Sequence, residues 1–240
     1  MSGIKPTHAM MALALLVASA GLASPPATKS PPPPSPSDAQ AKRVGDAYPF
    51  DVCPISGKKL GGMGDPVVKV YDGREVRFCC GMCPAKFEKD VTASLATLDE
   101  KIVKDQAPLY PLTTSVVSDK SLSEKPVQFV YGNRLVRLAD ESEKAAFMKN
   151  SKKYFESLDK AVIAKQSKDY PLTKCPVSGE DLGGDMGKPK DLVLAGRLVR
   201  LCCGDCVKDI EKDPAKYVKL VDDARSKASA KPGVKPEAKP

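Results

Sequence analysis

The stretch Val67-Val68-Lys69-Val70-Tyr71-Asp72-Gly73-Arg74-Glu75-Val76-Arg77-Phe78-Cys79-Cys80-Gly81-Met82-Cys83 holds the pattern from which the rest of the chain can be read. Two runs rich in β-branched and aromatic residues, 67–71 and 75–78, flank Asp72-Gly73, a dipeptide suited to the positive φ angles of a two-residue hairpin turn. The second run leads straight into three cysteines. Beyond them, Pro84 opens a stretch with Phe87 on one face and alternating charge elsewhere, the pattern of an amphipathic helix.

The same series recurs on both sides of the chain's centre. Upstream of the hairpin, Tyr48-Pro49 leads to Cys53-Pro54-Ile55-Ser56-Gly57 and Leu60-Gly61-Gly62. Later, Tyr170-Pro171 leads to Cys175-Pro176-Val177-Ser178-Gly179 and Leu182-Gly183-Gly184, then to a hairpin pattern at 192–195 and 198–201, Cys202-Cys203-Gly204-Asp205-Cys206 and Ile210. Between them, Tyr110-Pro111-Leu112-Thr113 repeats Tyr170-Pro171-Leu172-Thr173 letter for letter. Leu122, Pro126, a hairpin pattern at 127–131 and 135–138, and Phe147 follow in register. This middle version has no thiols. Ser115 stands where Cys53 and Cys175 stand, and Ala139, Asp140 and Glu143 replace the three clustered cysteines.

The expected fold is therefore α+β, built from three tandem units of about 60 residues, each a knuckle, a β-hairpin and a C-terminal helix. Repeat 1 is placed at 47–107, a degenerate cysteine-free repeat 2 at 108–167 and repeat 3 at 168–224. Composition agrees with small modules: among 240 residues there is no Trp, but there are 22 Pro and 8 Cys, and modules with modest cores commonly need a metal or disulfide staple.

The flanks carry an address rather than a core. Lys5 and His8 precede an apolar run from Met10 to Val17, and small residues follow, so 1–23 reads as a signal peptide cleaved near Ala20 or Ala23. Export to a periplasm or to the outside is the expected localisation. Segment 24–46 reads as a Pro/Ser-rich linker, and 225–240, rich in Lys, Ala and Pro with almost no bulky apolar side chain, as a disordered basic tail. That tail contributes to the formal charge of +8, but without interleaved aromatics or a reading motif it points to no specific nucleic acid. No segment of the mature chain has the roughly 20 apolar residues of a membrane span.

The chemistry lies in the thiols. The opening Cys-Pro-x-Ser-Gly turn supplies one per outer repeat, and the turn between hairpin and helix supplies three. The candidate metal ligands are Cys53, Cys79, Cys80 and Cys83 in repeat 1, and Cys175, Cys202, Cys203 and Cys206 in repeat 3. They offer either four thiolates or three with an open position. An all-sulfur set suits Zn(II) or Cu(I), one ion per cysteine-bearing repeat, and makes Mg, Ca or Mn implausible. Met63, Met82 and Met186 lie nearby in sequence as soft helpers or plain gap-fillers. The one His precedes the expected cleavage site, which excludes zinc sites built on imidazole.

Each cysteine-bearing unit resembles the YHS and TRASH families, small treble-clef-like metal-binding domains of heavy-metal sensing, trafficking and resistance proteins. Phe78-Cys79-x3-Cys83-x3-Phe87 and Leu201-Cys202-x3-Cys206-x3-Ile210 carry the likeness, with Cys53 and Cys175 as upstream ligands. Cys80 and Cys203 are additions to that pattern. The resemblance implies a partner that is a soft metal ion, in capture, trafficking or resistance; with the leader-like N-terminus the expectation is an exported, non-enzymatic protein whose protein partner, if any, is unidentified.

Two other readings compete. Cys80-Gly81-Met82-Cys83 and Cys203-Gly204-Asp205-Cys206 look like the Cys-Gly-x-Cys of thioredoxin-like thiol–disulfide oxidoreductases, although the unit is too short for that fold. A structural zinc or disulfide scaffold is the other, with the adjacent pairs Cys79-Cys80 and Cys202-Cys203 hard to bridge directly. Gly61-Gly62-Met63-Gly64 lacks the Lys and helix start of a phosphate loop.

Overall fold

The computed structural model describes residues 43–185 and 187–230; the expected signal peptide, most of the linker, Met186 and the last part of the tail lie outside them. Three antiparallel hairpins form: β1 (Val67–Tyr71) with β2 (Arg74–Phe78), β3 (Val127–Tyr131) with β4 (Arg134–Leu138), and β5 (Lys190–Leu194) with β6 (Arg197–Leu201). Each is a separate two-stranded sheet. The turn pairs Asp72-Gly73, Gly132-Asn133 and Ala195-Gly196 all have positive φ at both positions, the requirement of a tight turn that matches strand twist. Ala195, expected as the end of a strand, is in the turn. The second strands begin one residue earlier than expected, at Arg74, Arg134 and Arg197.

Each hairpin is followed by two helices where one was expected. A short helix, α1 (Cys83–Phe87), α3 (Glu143–Lys149) or α5 (Val207–Lys212), gives way to a long one, α2 (Val91–Gln106), α4 (Ser151–Gln166) or α6 (Pro214–Ser229). The break falls at Asp90, Asn150 and Asp213, residue types that favour caps over helix interiors. The Asp90 carboxylate accepts from Ala93 N–H at 2.9 Å, and Asp213 accepts from Lys216 N–H at 3.2 Å. Helix α6 also runs past Arg225 to Ser229, through residues expected to be a disordered tail.

The repeats share an ion pair that ties hairpin to long helix. Arg74 meets Asp99 at 2.5 Å, Arg134 meets Asp159 at 2.5 Å and Arg197 meets Asp222 at 2.9 Å. All three arginines are buried, where an unpaired charge would be strongly destabilising. The apolar cores repeat as well. In the first, Val76, Phe78, Phe87, Leu98 and Ile102 close around the thiols. The middle one uses Leu135, Val136, Leu138, Phe147 and Leu158, and the last Val199, Leu201, Ile210, Val218 and Val221.

The repeats pack together through polar grips that the sequence did not announce. The Gln106 side chain, at the end of α2, donates to Asn133 O and accepts from Leu135 N–H, both at 2.9 Å. Gln166, at the end of α4, does the same to Gly196 O and Leu198 N–H at 2.8 Å. The first and last repeats join through Arg77, which donates to Lys212 O and Glu211 O. Segment 43–46, assigned to the linker, is docked rather than loose. Val44 N–H donates to Gly73 O, Asp46 N–H donates to Gly132 O, and the Asp46 carboxylate accepts from Ala195 N–H, so one short segment touches the turns of all three hairpins. A side chain at Gly132 could not fit there, since its Cβ would lie 2.3 Å from Val44 O. Burial pushes the Asp46 carboxyl up to about 6, against the opposing pull of Arg134 and the Ala195 N–H.

Candidate metal centre

The opening knuckle is a small backbone loop with a repeated hydrogen-bond pattern. Cys53 N–H donates to Lys58 O at 2.8 Å, Gly57 N–H donates to Cys53 O at 2.9 Å, and Leu60 N–H donates to Asp51 O at 2.7 Å. The equivalent bonds in the last repeat are Cys175 to Glu180, Gly179 to Cys175 and Leu182 to Thr173. Gly57 and Gly179 have φ of 68° and 79°, which a glycine adopts without strain. The loop turns Cys53 or Cys175 inward, and β2 or β6 with the following turn brings the other cysteines to the same place.

Three sulfurs of each outer repeat converge. Those of Cys53, Cys79 and Cys83 lie within 4.8 Å of one another, as do those of Cys175, Cys202 and Cys206, and all six residues are buried. Cys79 and Cys83 stand 3.8 Å apart, as do Cys175 and Cys206, and Cys202 and Cys206. Two thiolates each about 2.3 Å from a tetrahedral zinc stand about 3.8 Å apart, so the spacing fits a shared soft ion. Cys80 and Cys203 are half-buried and lie outside these triads, yet each remains near one member: 3.6 Å from Cys83 and 3.8 Å from Cys206. Of the eight cysteines singled out in the sequence, six form the two buried groups and two sit at their edges. All eight are free thiols.

Ser56 and Ser178, three residues after the knuckle cysteines, also face the site: their Oγ atoms lie 3.2 Å from the sulfurs of Cys79 and Cys202. Met63 and Met82 are exposed, at 57% and 72%.

The thiols divide the proton load unequally. Burial alone would raise Cys53, but the Ser56 hydroxyl and the N–H groups of Cys79, Ser56 and Ile55 outweigh it and bring the thiol down to about 6. Cys175 falls to about 6 against the same burial, through the N–H groups of Ser178 and Cys202 and the Ser178 hydroxyl. Cys83 moves the other way, pushed up to about 12 by burial and by donating among the sulfurs of Cys80, Cys53 and Cys79. Cys206 is likewise raised, by burial first and then by the sulfurs of Cys202, Cys175 and Cys203. A soft cation bound among the three sulfurs would displace the protons that the thiols carry.

The middle repeat fills this location differently. Its knuckle keeps the backbone pattern: Ser115 N–H donates to Lys120 O, Asp119 N–H to Ser115 O, and Leu122 N–H to Thr113 O. The Glu143 carboxylate then accepts from Ser115 Oγ at 2.5 Å, from Ala139 N–H at 3.1 Å and from Ser118 Oγ. Burial opposes the charge on Glu143, but the hydroxyls of Ser115 and Ser118 and the Ala139 N–H hold its carboxyl below the usual range. Asp140, in the position of Cys80, is not in this cluster. It pairs with Lys120 at 3.6 Å near the surface.

Sequence reasoning missed Ser118 and the role of Ser56 and Ser178, although the spacing Cys53 to Ser56, Ser115 to Ser118 and Cys175 to Ser178 is identical. It also missed the Arg–Asp ties, whose constant separation was there to be read. No described helix is long and apolar enough to cross a membrane. Comparison of the chain with protein-family models, curated proteins and solved structures returned no match.

Proposed function

We propose that this is an exported soft-metal-binding protein that holds one Zn(II) or Cu(I) in each outer repeat, in a capture, trafficking or resistance role. The observation that carries the reading is the pair of buried sulfur triads with tetrahedral-edge spacing. Three buried thiolates suit trigonal Cu(I) as they stand, and suit Zn(II) when a water supplies the fourth donor. The YHS/TRASH-like spacing around Cys79 and Cys202 supports a treble-clef-like metal site, and the leader-like N-terminus supports export. The middle repeat argues for metal as cargo rather than as a folding requirement, because the same elements form there around Ser115, Ser118 and Glu143.

A thiol–disulfide exchange reading draws on one observation, the 3.6 Å separation of the Cys80 and Cys83 sulfurs at the start of α1. Elemental analysis of protein purified without oxygen, with free thiols counted before and after chelation, separates the two. Metal binding requires soft metal at one ion per triad and thiols that become reactive on chelation. Metal-free protein with insulin-reducing activity that disappears in Cys80→Ser and Cys203→Ser belongs to the exchange reading.

A further inference from the structure

Resting on the metal-binding reading, we propose that Cys80 and Cys203 are transfer ligands: solvent-side thiols that carry an incoming or departing ion between the buried triad and an external acceptor. Three observations converge on them. First, each lies close enough to one triad member to share an ion with it, 3.6 Å from Cys83 and 3.8 Å from Cys206, while remaining partly open to solvent. The triad residues are buried, so an ion seated among them has a thiol at its edge that both the ion and an acceptor can reach.

Second, the middle repeat separates this position from the inner three. There the positions of the inner ligands are drawn together by Glu143, through Ser115 Oγ and Ala139 N–H, whereas Asp140 turns to Lys120 at the surface. The position of Cys80 thus belongs to the outside of the unit even where no thiol is present. Third, the turn that carries the thiol has room for an approaching ligand: nothing lies within 4 Å of where a Cβ at Gly81 would be. At Gly204 the nearest neighbour is the flexible Lys190 ammonium, at 3.7 Å.

The exchange involves no change of oxidation state. In unloading, a bond forms from the ion to Cys80 as the bond to Cys53 breaks, and the bond to Cys79 breaks as a water joins the ion; the ion is left on Cys80 and Cys83 at the mouth of the turn, and the freed thiolates of Cys53 and Cys79 take up protons from solvent. An acceptor thiolate or chelator nitrogen then bonds to the ion, and the Cys80 and Cys83 bonds break. Loading is the reverse, and the protons displaced from the returning thiols go to solvent.

The test is a stopped-flow measurement on the full chain loaded with Zn(II), unloaded by a chromophoric pyridylazo chelator and reloaded from free Zn(II). In the double variant Cys80→Ala/Cys203→Ala, both rates are expected to fall by roughly tenfold or more, while the metal content and the equilibrium affinity stay near those of the parent. Cys79→Ser, which removes an inner ligand, is expected instead to lose the ion of the first repeat. Unchanged or faster exchange in the double variant overturns the proposal. So does loss of metal as complete as in Cys79→Ser, which would make these thiols ordinary inner ligands. Failure of the parent chain to bind Zn(II) or Cu(I) at all is a different result, and it removes the metal-binding reading itself.

Discussion

The outer and middle repeats tie the same two parts of the fold together with different chemistry. In the first and last, the opening knuckle meets the start of the short helix through three sulfurs. In the middle one, a single carboxylate on α3 does so by accepting from two knuckle hydroxyls and a backbone N–H. The hydroxyl–carboxylate tie is complete as the chain folds, because donors and acceptor satisfy one another. The sulfur tie would be completed by a cation bound among the three sulfurs. Stability of the outer repeats should therefore depend on ligand concentration, and that of the middle repeat should not. A scaffold that can close itself with Ser and Glu has no structural need for cysteine at that place, which turns attention to what the cysteines bind.

The comparison can be broken most decisively by converting one kind of repeat into the other. Ser115→Cys/Ala139→Cys/Glu143→Cys places three sulfurs on the middle scaffold at positions equivalent to Cys53, Cys79 and Cys83. Elemental analysis is expected to show one further soft metal ion per chain. A content unchanged from the parent would mean that the backbone of the middle repeat does not present the site.

The next effect is smaller and falls on stability alone. Glu143→Ala leaves the buried Ser115 Oγ, the half-buried Ala139 N–H and the exposed Ser118 Oγ without their acceptor, a loss of about 1–3 kcal/mol carried mainly by Ser115. Urea unfolding should show a lower midpoint, with metal content held at the level of the parent. An unaltered midpoint would show that the cluster is incidental.

Acidification gives the most gradual contrast. Cys53 and Cys175 have thiols lowered to about 6, so the stabilisation from their thiolates is present at high pH and is lost as pH falls through that value. Bound metal competes for the same sulfurs, so apparent affinity should drop by about tenfold per pH unit for each proton taken up. Glu143 is held below the ordinary carboxylate range, so the middle tie survives to lower pH. Metal retention measured by dialysis from pH 7.5 to 4.5, beside circular dichroism, should show release before loss of helix; the opposite order would contradict the contrast.

The hairpins were legible because Asp72-Gly73 and its counterparts must turn tightly and the flanking runs are strand-like. The thiol convergence was legible because one cysteine in a knuckle and three after a strand leave few other geometries. Several features were hidden. The residues at the helix breaks, Asp90, Asn150 and Asp213, look like ordinary polar residues in an amphipathic run; the side-chain cap bonds of Asp90 and Asp213 show only in the structure. Gln106 and Gln166 carry no local mark in the sequence, yet they hold the next repeat's turn. Contacts between repeats depend on three-dimensional arrangement, which periodicity does not encode. Arg43 to Asp46 resembled spacer because nothing local marks Asp46 as a residue to be buried. The division of each thiol quartet into three inner sulfurs and one outer also needed coordinates, since Cys79 and Cys80 are neighbours of identical type.

Titration of the reduced, metal-free chain with Co(II), followed by thiolate-to-metal charge-transfer and d–d absorption, asks most directly whether the buried triads each close on one ion. Both bands should grow with intensities typical of sulfur-rich tetrahedral cobalt and saturate at two ions per chain, one for each triad. In Cys53→Ser, saturation should come at one. A spectrum that stays that of hydrated Co(II), or an end point unaffected by the substitution, would contradict a metal centre at these sulfurs.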